Sequence, residues 1–308
     1  MAAALQVIVQ NIIDALSLGS LFALTALGIS LLFGIMRLVN FAHGDFISVG
    51  AYALIIPSAS PTAIMYIGNW PALATIVAIC AVLIVLAILC ERVAFRPLRG
   101  ADPSVLMIAS FAVSYFIQNA IIMIYGGRPK GVDLWPFLQT QVTIGGVRLQ
   151  LLQLVTIAST GILLAALSFF LHRLPIGRQM RAASENFMMA RLLGVRANFV
   201  IAAAFAVSGF LAAVVSLLYV VQRGTLAYDV GTPLVMAGFV ATVIGGMGSV
   251  LGAVLGGYFV GIANVFFQVV LPVGIRADRD AFVFAFVILI LLLRPSGLIR
   301  VKSVEERV

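Results

Sequence analysis

Nine long apolar stretches recur along this chain with scarcely a charge inside them, and that recurrence leaves few folds open. They run roughly over 11–36, 44–60, 71–91, 104–126, 151–171, 198–221, 231–246, 249–271 and 281–296, with bounds good to a few residues. About 20 apolar residues cross a bilayer as a helix. A helix satisfies its own backbone polar groups, which lipid cannot do. A membrane barrel needs alternating ten-residue strands of about that length, and the unbroken apolar run at 76–89 excludes it. Charged residues make up 10% of the 308 positions and hydrophobic residues 63%. A water-facing surface takes about 25% charged residues, so most of the outer surface must meet lipid. The expected fold is an all-α integral membrane protein, a polytopic helical bundle of about eight to nine transmembrane segments. The stretches at 44–60 and 231–246 are short and contain Gly, so they are partial or re-entrant candidates.

The few charges orient the bundle. Arg92, Arg96 and Arg99 fall in one loop, Arg173, Arg178, Arg181, Arg191 and Arg196 in another, and Arg294, Arg300, Lys302 and Arg307 in the tail. The positive-inside rule puts all three in the cytoplasm. Nine crossings satisfy this with the N-terminus outside and the C-terminus inside. Residues 127–150 then lie outside, where Gly145-Gly146 marks a short hairpin. The net charge of +8 is thus a topological signal, and nucleic-acid binding is not expected. Residues 1–13 carry no Lys or Arg, so no cleavable signal peptide is expected. No linker or low-complexity tract divides the chain, which is expected to form a single transmembrane domain over 1–308.

The residues present exclude several chemistries. A P-loop needs Gly-Lys followed by Ser or Thr; Lys130 follows Pro129 and Lys302 follows Val301, so neither belongs to one. His43 and His172 do not form a zinc-protease pair, and no Cys/His cluster offers a metal site. Cys80 and Cys90 share one apolar stretch, about 15 Å apart along a helix, too far for a disulfide. Transport is the class that remains.

Three segments carry further information. Asn40-Phe41-Ala42-His43-Gly44-Asp45 places a polar cluster between two apolar stretches. It is either an ordinary turn with a helix start or a structured bend lining a pathway or facing a partner, and spacing alone does not choose. Residues 178–194 read as a short amphipathic cytoplasmic helix. Met180, Ala183, Phe187, Ala190 and Gly194 fall within about 80° of one another, opposite Arg178, Arg181 and Glu185. A helix resting on lipid headgroups is one reading; the smooth Ala/Gly face favours close docking to another protein. In 245–261, Gly248, Gly252 and Gly256 repeat at i,i+4, and Gly257 and Gly261 form a second such pair. Packing within the fold explains these, and a Gly-lined break at Gly245, Gly246, Gly248 and Ser249 touching the solute is the alternative. The Asn40–Asp45 bend and this break are expected to meet as an inner gate, with Asn40 and Ser249 supplying hydrogen bonds and His43, Gly44 and Asp45 holding the bend.

Together these segments resemble the branched-chain amino acid ABC transporter permeases of the LivH type. The opening signature is seen in residues 18–28, in Phe33-Gly34-Ile35 and in 40–45. Residues 91–99 look like the family's first cytoplasmic loop, and 181–194 like its EAA-type coupling segment, with Ala183, Glu185 and Gly194 in matching places. Residues 244–261 resemble its Gly-rich stretch, and Arg294-Pro295-Ser296-Gly297-Leu298 its ending. The resemblance implies a subunit forming half of the pathway of an ATP-driven importer in the bacterial inner membrane. It also implies a periplasmic binding protein, a second permease and two ATPase subunits that hold the ATP and magnesium; no cofactor is expected on this chain. Asp14, Ala237 and Asn264 depart from the family, which often has Asn, Lys and an acid there. The resemblance therefore leaves the solute open among branched-chain amino acids, urea, short amides and aromatic acids. A rival from another class, an ion-coupled secondary transporter, needs coupling-ion sites between broken helices, and Asp14 and Asp229 are the span acids available to it.

Overall fold

In the computed structural model, which describes residues 2–144, 146–294 and 297–299, each of the nine apolar stretches contains a helix. In chain order these are α1 (Ala2–Met36), α2 (His43–Tyr52), α3 (Ala72–Cys90), α4 (Pro103–Tyr125) and α5 (Leu151–Arg173), then, after two short helices α6 (Pro175–Glu185) and α7 (Phe187–Leu192), α8 (Ala197–Arg223), α9 (Thr232–Gly245), α10 (Val250–Val270) and α11 (Arg279–Leu293). Six of them are long and apolar enough to cross a membrane: α1, α3 with the π-helical turn that extends it to Phe95, α4, α5, α8 and α10. The others are shorter. At 1.5 Å per residue, α2, α9 and α11 rise about 15, 21 and 22 Å, short of a hydrocarbon core of about 30 Å.

Helix α1 is the axis of the bundle. Its Ala23, Leu24, Ala26 and Leu27 are wholly buried, and it packs against α5, α8, α9 and α10. The peripheral helices instead expose apolar side chains such as Leu73 and Val85 on α3, Phe116 on α4 and Ile162 on α5, a surface suited to lipid. Between helices in lipid the driving force is close packing, so small residues mark the contacts. Gly252 and Gly256 press on α9, where an added Cβ would overlap the carbonyls of Gly245 and Ala241. Gly257 and Gly261 press on α1 at Ala23 and Gly19. The two glycine pairs thus serve two different neighbours. Gly248 lies outside the helix, in the α9–α10 turn, where it and Gly246 take φ of +89° and +102°. Ser249 caps α10 by accepting the Gly252 N–H at 3.0 Å. The backbone N–H groups of Leu298 and Ile299 donate to Ile244 and Gly245 carbonyls, closing the end of α9. Pro295, Ser296, Arg300, Lys302 and Arg307 lie outside the described residues.

The two ends of the bundle differ. Among the described residues, one carries six short strands, β1 (Ile55–Ile56), β2 (Ile64–Met65), β3 (Lys130–Gly131), β4 (Gln141–Ile144), β5 (Val147–Gln150) and β6 (Thr225–Leu226). They pair antiparallel as β1–β2, β3–β6 and β4–β5. The last pair is the expected hairpin, with Ile144 opposite Val147; Gly145 lies outside the described residues, and Gly146 has φ +84°. The other end carries the arginine-rich loops, where Arg99 joins Glu91 in an ion pair and donates to Asn198.

The single amphipathic helix expected over 178–194 is two helices. The chain turns extended at Asn186 (φ −149°, ψ 101°), whose side chain accepts the Met189 N–H and caps α7. An Asn after Ser184-Glu185 offers its own backbone a competing hydrogen bond, and a helical wheel drawn through it hides the break.

Candidate functional site

The Asn40–Asp45 bend lies deep in the bundle. His43 Nδ1 is 3.1 Å from the hydroxyl of Ser208, a residue about 16 Å into α8 from the arginine-rich end. The His43 ring occupies the space left by Gly28, where a Cβ would come within 2.5 Å of Cε1; Gly28 lies about 12 Å before the end of α1. Helix α2 therefore begins near half of membrane depth and runs towards the strand end. The chain reaches that depth from α1 by way of 37–42, with Ser110 of α4 accepting the Phe41 N–H at 3.3 Å and donating to the Val39 carbonyl.

Helix α9 begins at the same depth and runs the other way. Gly44 and Gly231 lie backbone on backbone: a Cβ on Gly44 would sit 2.8 Å from the Gly231 carbonyl oxygen, and one on Gly231 would overlap Gly44 O. Ser48 seals the crossing by accepting the Gly231 N–H at 3.0 Å. The two short helices are thus half-helices whose starts meet inside the bundle. Such breaks are tolerated at membrane depth only when buried in protein or lining a cavity.

Polar and aromatic groups gather at this junction. Asp45, wholly buried in the first turn of α2, accepts a hydrogen bond from Gln118 of α4 at 2.9 Å. Asp229, three residues before α9, lies within electrostatic reach of Asp45 and of Tyr52. Asn40 is also wholly buried; its Oδ1 accepts the Ala42 N–H, and its Nδ2 has no partner among the described residues. On the arginine-rich side of them Phe41 stacks on Phe111 at 4.3 Å and leans on Phe239 at 5.6 Å, so rings from the bend, α4 and α9 pack together there.

The second expected gate segment, Gly245 to Ser249, sits elsewhere. Gly248 approaches Gly34, and the Ser249 carbonyl accepts from Ser30, both on α1. Among the described residues no hydrogen bond joins this segment to Asn40–Asp45. Gly248 borders a cavity of about 600 Å³ between α1, α5, α6 and α10, which Arg181, Ser184 and Glu185 also line.

Residues 11–293 match the family described as "Branched-chain amino acid transport system / permease component". The chain belongs to the branched-chain amino acid permease family. It is 33% identical to the high-affinity branched-chain amino acid transport permease BraD of Pseudomonas aeruginosa, over 96% of this chain and 97% of that protein. It is 31% identical, over the same shares, to LivH of Escherichia coli. A partial likeness, 36% over 104 residues and 32% of this chain, links it to the autoinducer 2 import permease LsrC of Photorhabdus laumondii. No solved structure matches.

Most of the small-residue face of the permease's 178–194 segment turns inward against the bundle. Met180, Ala183 and Ala190 are buried within the chain itself, because a smooth face suits close helix packing here too. Gly194 is exposed with φ +85°, ending α7. What faces outward is apolar and bulky: Met188, Leu192 and Leu193 are 76%, 78% and 86% exposed, beside exposed Arg181, Glu185 and Arg191.

The three positions expected to depart from the family's pattern, Asp14, Ala237 and Asn264, are scattered. Asp14 ties α1 to α5, accepting from Gln153 at 2.7 Å and from Gln10 at 3.0 Å. Ala237 is buried on α9, and Asn264 donates to Asp280 at 3.1 Å across α10 and α11. The neighbour of the bend across the fold is Gly231, with Gln118 of α4 beside it. Two short, Gly-interrupted apolar stretches in one chain were the available signal.

Proposed function

We propose that this permease forms half of the translocation pathway of an inner-membrane ATP-driven importer for branched-chain or related hydrophobic amino acids. The observation that carries the reading is the full-length similarity to two high-affinity branched-chain amino acid permeases. The remaining parts of the machine are a second permease, a periplasmic binding protein that delivers the solute, and two ATPase subunits that hold ATP and magnesium. The arginine-rich end faces the cytoplasm and the strand end the outside, which leaves the N-terminus outside and the C-terminus inside.

Within that frame, the outward-facing Met188, Met189, Leu192 and Leu193, flanked by Arg181 and Arg191, are the ATPase-docking tip. Buried Ala183 and Ala190 hold the tip to the bundle, and the cavity behind α6 leaves room for it to move against Gly245–Ser249. The half-helix junction is the gate: the Phe41, Phe111 and Phe239 rings close it, and their parting opens it. The test is co-purification of the tagged chain followed by uptake into proteoliposomes of leucine, isoleucine, valine, urea, a short amide and an aromatic acid. ATPase subunits should come with the chain, and the branched-chain amino acids should be taken up best. Urea or an aromatic acid carried in their place would reassign the solute; purification with no ATPase would remove the importer reading.

A further inference from the structure

We propose that the junction of the two half-helices is a transit site for a zwitterionic α-amino acid, with Asp45 and Asp229 taking the ammonium and the unpaired amide of Asn40 the carboxylate. This rests on the reading of the chain as an amino-acid permease and adds the place and chemistry of recognition inside the membrane.

The first support is a charge imbalance. An acid at membrane depth is expensive and is retained where it faces a pathway or a partner. The crossing of Gly44 on Gly231 sets one acid on each side of it, Asp45 beside the first glycine and Asp229 two residues before the second. Among the described residues the ion pairs are Arg99–Glu91 and Arg279–Asp280, so neither acid has a cationic partner. Each helix start supplies roughly half a positive charge. Two starts offset about one of the two carboxylates and leave about one negative charge for a cation to meet.

The second support is independent of the acids. Asn40 is wholly buried at the same helix start, pinned through Oδ1 by the Ala42 N–H, and its Nδ2 donates to nothing. A buried donor left unpaired costs about 1–3 kcal/mol, a cost that an anionic acceptor arriving at the site removes. A free donor at the start of α2, with Asp45 in the first turn of that helix and Asp229 across the crossing, offers a partner to each end of an α-amino acid. The rings of Phe41, Phe111 and Phe239 offer apolar contact to a branched side chain on the arginine-rich side.

The experiment uses the whole transporter, with binding protein and ATPases, in proteoliposomes, and reads radiolabelled leucine moved per ATP hydrolysed. For Asp229→Asn, half-exposed at the junction, this ratio should fall at least tenfold, and Asp229→Glu should recover to within threefold of the parent. Asp45→Asn, which can still accept from Gln118, should behave like Asp229→Asn; if it does not assemble, Asp229→Asn decides. An assembled Asp229→Asn transporter that moves leucine per ATP like the parent overturns the proposal. Parent uptake that requires sodium, and loses that requirement in Asp229→Asn, overturns it too by giving the charge to an inorganic cation. A parent complex that hydrolyses ATP with its binding protein yet accumulates no amino acid withdraws the amino-acid reading, and this site's solute with it.

Discussion

At the scale of single residues, the bend depends on an absence. His43 fits because Gly28 has no side chain: a Cβ there would lie 2.5 Å from Cε1 and 2.6 Å from Nε2. The ring cannot retreat easily, since Nδ1 is held by Ser208. Overpacking of this kind costs about 1–3 kcal/mol. Gly28→Ala should therefore lower the melting temperature of the purified complex by several degrees. Gly161→Ala, on the open face of α5 with nothing within 4 Å, should leave it unchanged. Equal melting curves for the two variants would show that His43 does not need the space. A double-mutant cycle with His43→Ala should recover much of the Gly28→Ala loss.

At the scale of elements, α6 and α7 separate a buried face from an exposed one that a continuous helix would mix. Ala183 on α6 is buried in the bundle, whereas Leu192 and Leu193 at the end of α7 stand in the open. Ala183→Trp should reduce accumulation of the permease in membranes, because a large ring has no room there. Leu192→Asp with Leu193→Asp should leave accumulation normal and remove the ATPase from the purified complex. If the aspartate pair still retains the ATPase, docking lies elsewhere on the arginine-rich end. Asn186→Ala removes the cap of α7, a change of about 1 kcal/mol, and should weaken ATPase retention through fraying of α7. The half-helices form a second such unit. Gly231→Leu would drive a side chain into the Gly44 backbone and should abolish uptake.

For the whole molecule, the segregation of strands at one end and arginine-rich loops at the other makes sidedness testable with two labels. In a background with Cys80 and Cys90 replaced by Ala, a cysteine at Phe137, 55% exposed at the strand end, should react with an impermeant reagent only from outside. A cysteine at Arg191, exposed on α7, should react only from the cytoplasm. Both reacting from one side would break the orientation derived from the arginine-rich loops.

The chain's apolar runs and missing charges were enough to dictate a helical membrane bundle, because backbone groups in lipid can be satisfied in few ways. Its motifs carried the family, and its lysines excluded a P-loop. Even the two half-helices were visible as short stretches. Which pieces meet was not legible. The Asn40–Asp45 bend pairs with Gly231 instead of Gly245–Ser249 because close approach in lipid is set by backbone contact between glycines, and a glycine's sequence position does not say which neighbour it serves. The inward turn of Ala183 and Ala190 was hidden for a related reason. A small-residue face suits packing on the chain's own bundle as well as on a partner, and only the tertiary structure placed the bundle against Ala183 and Ala190.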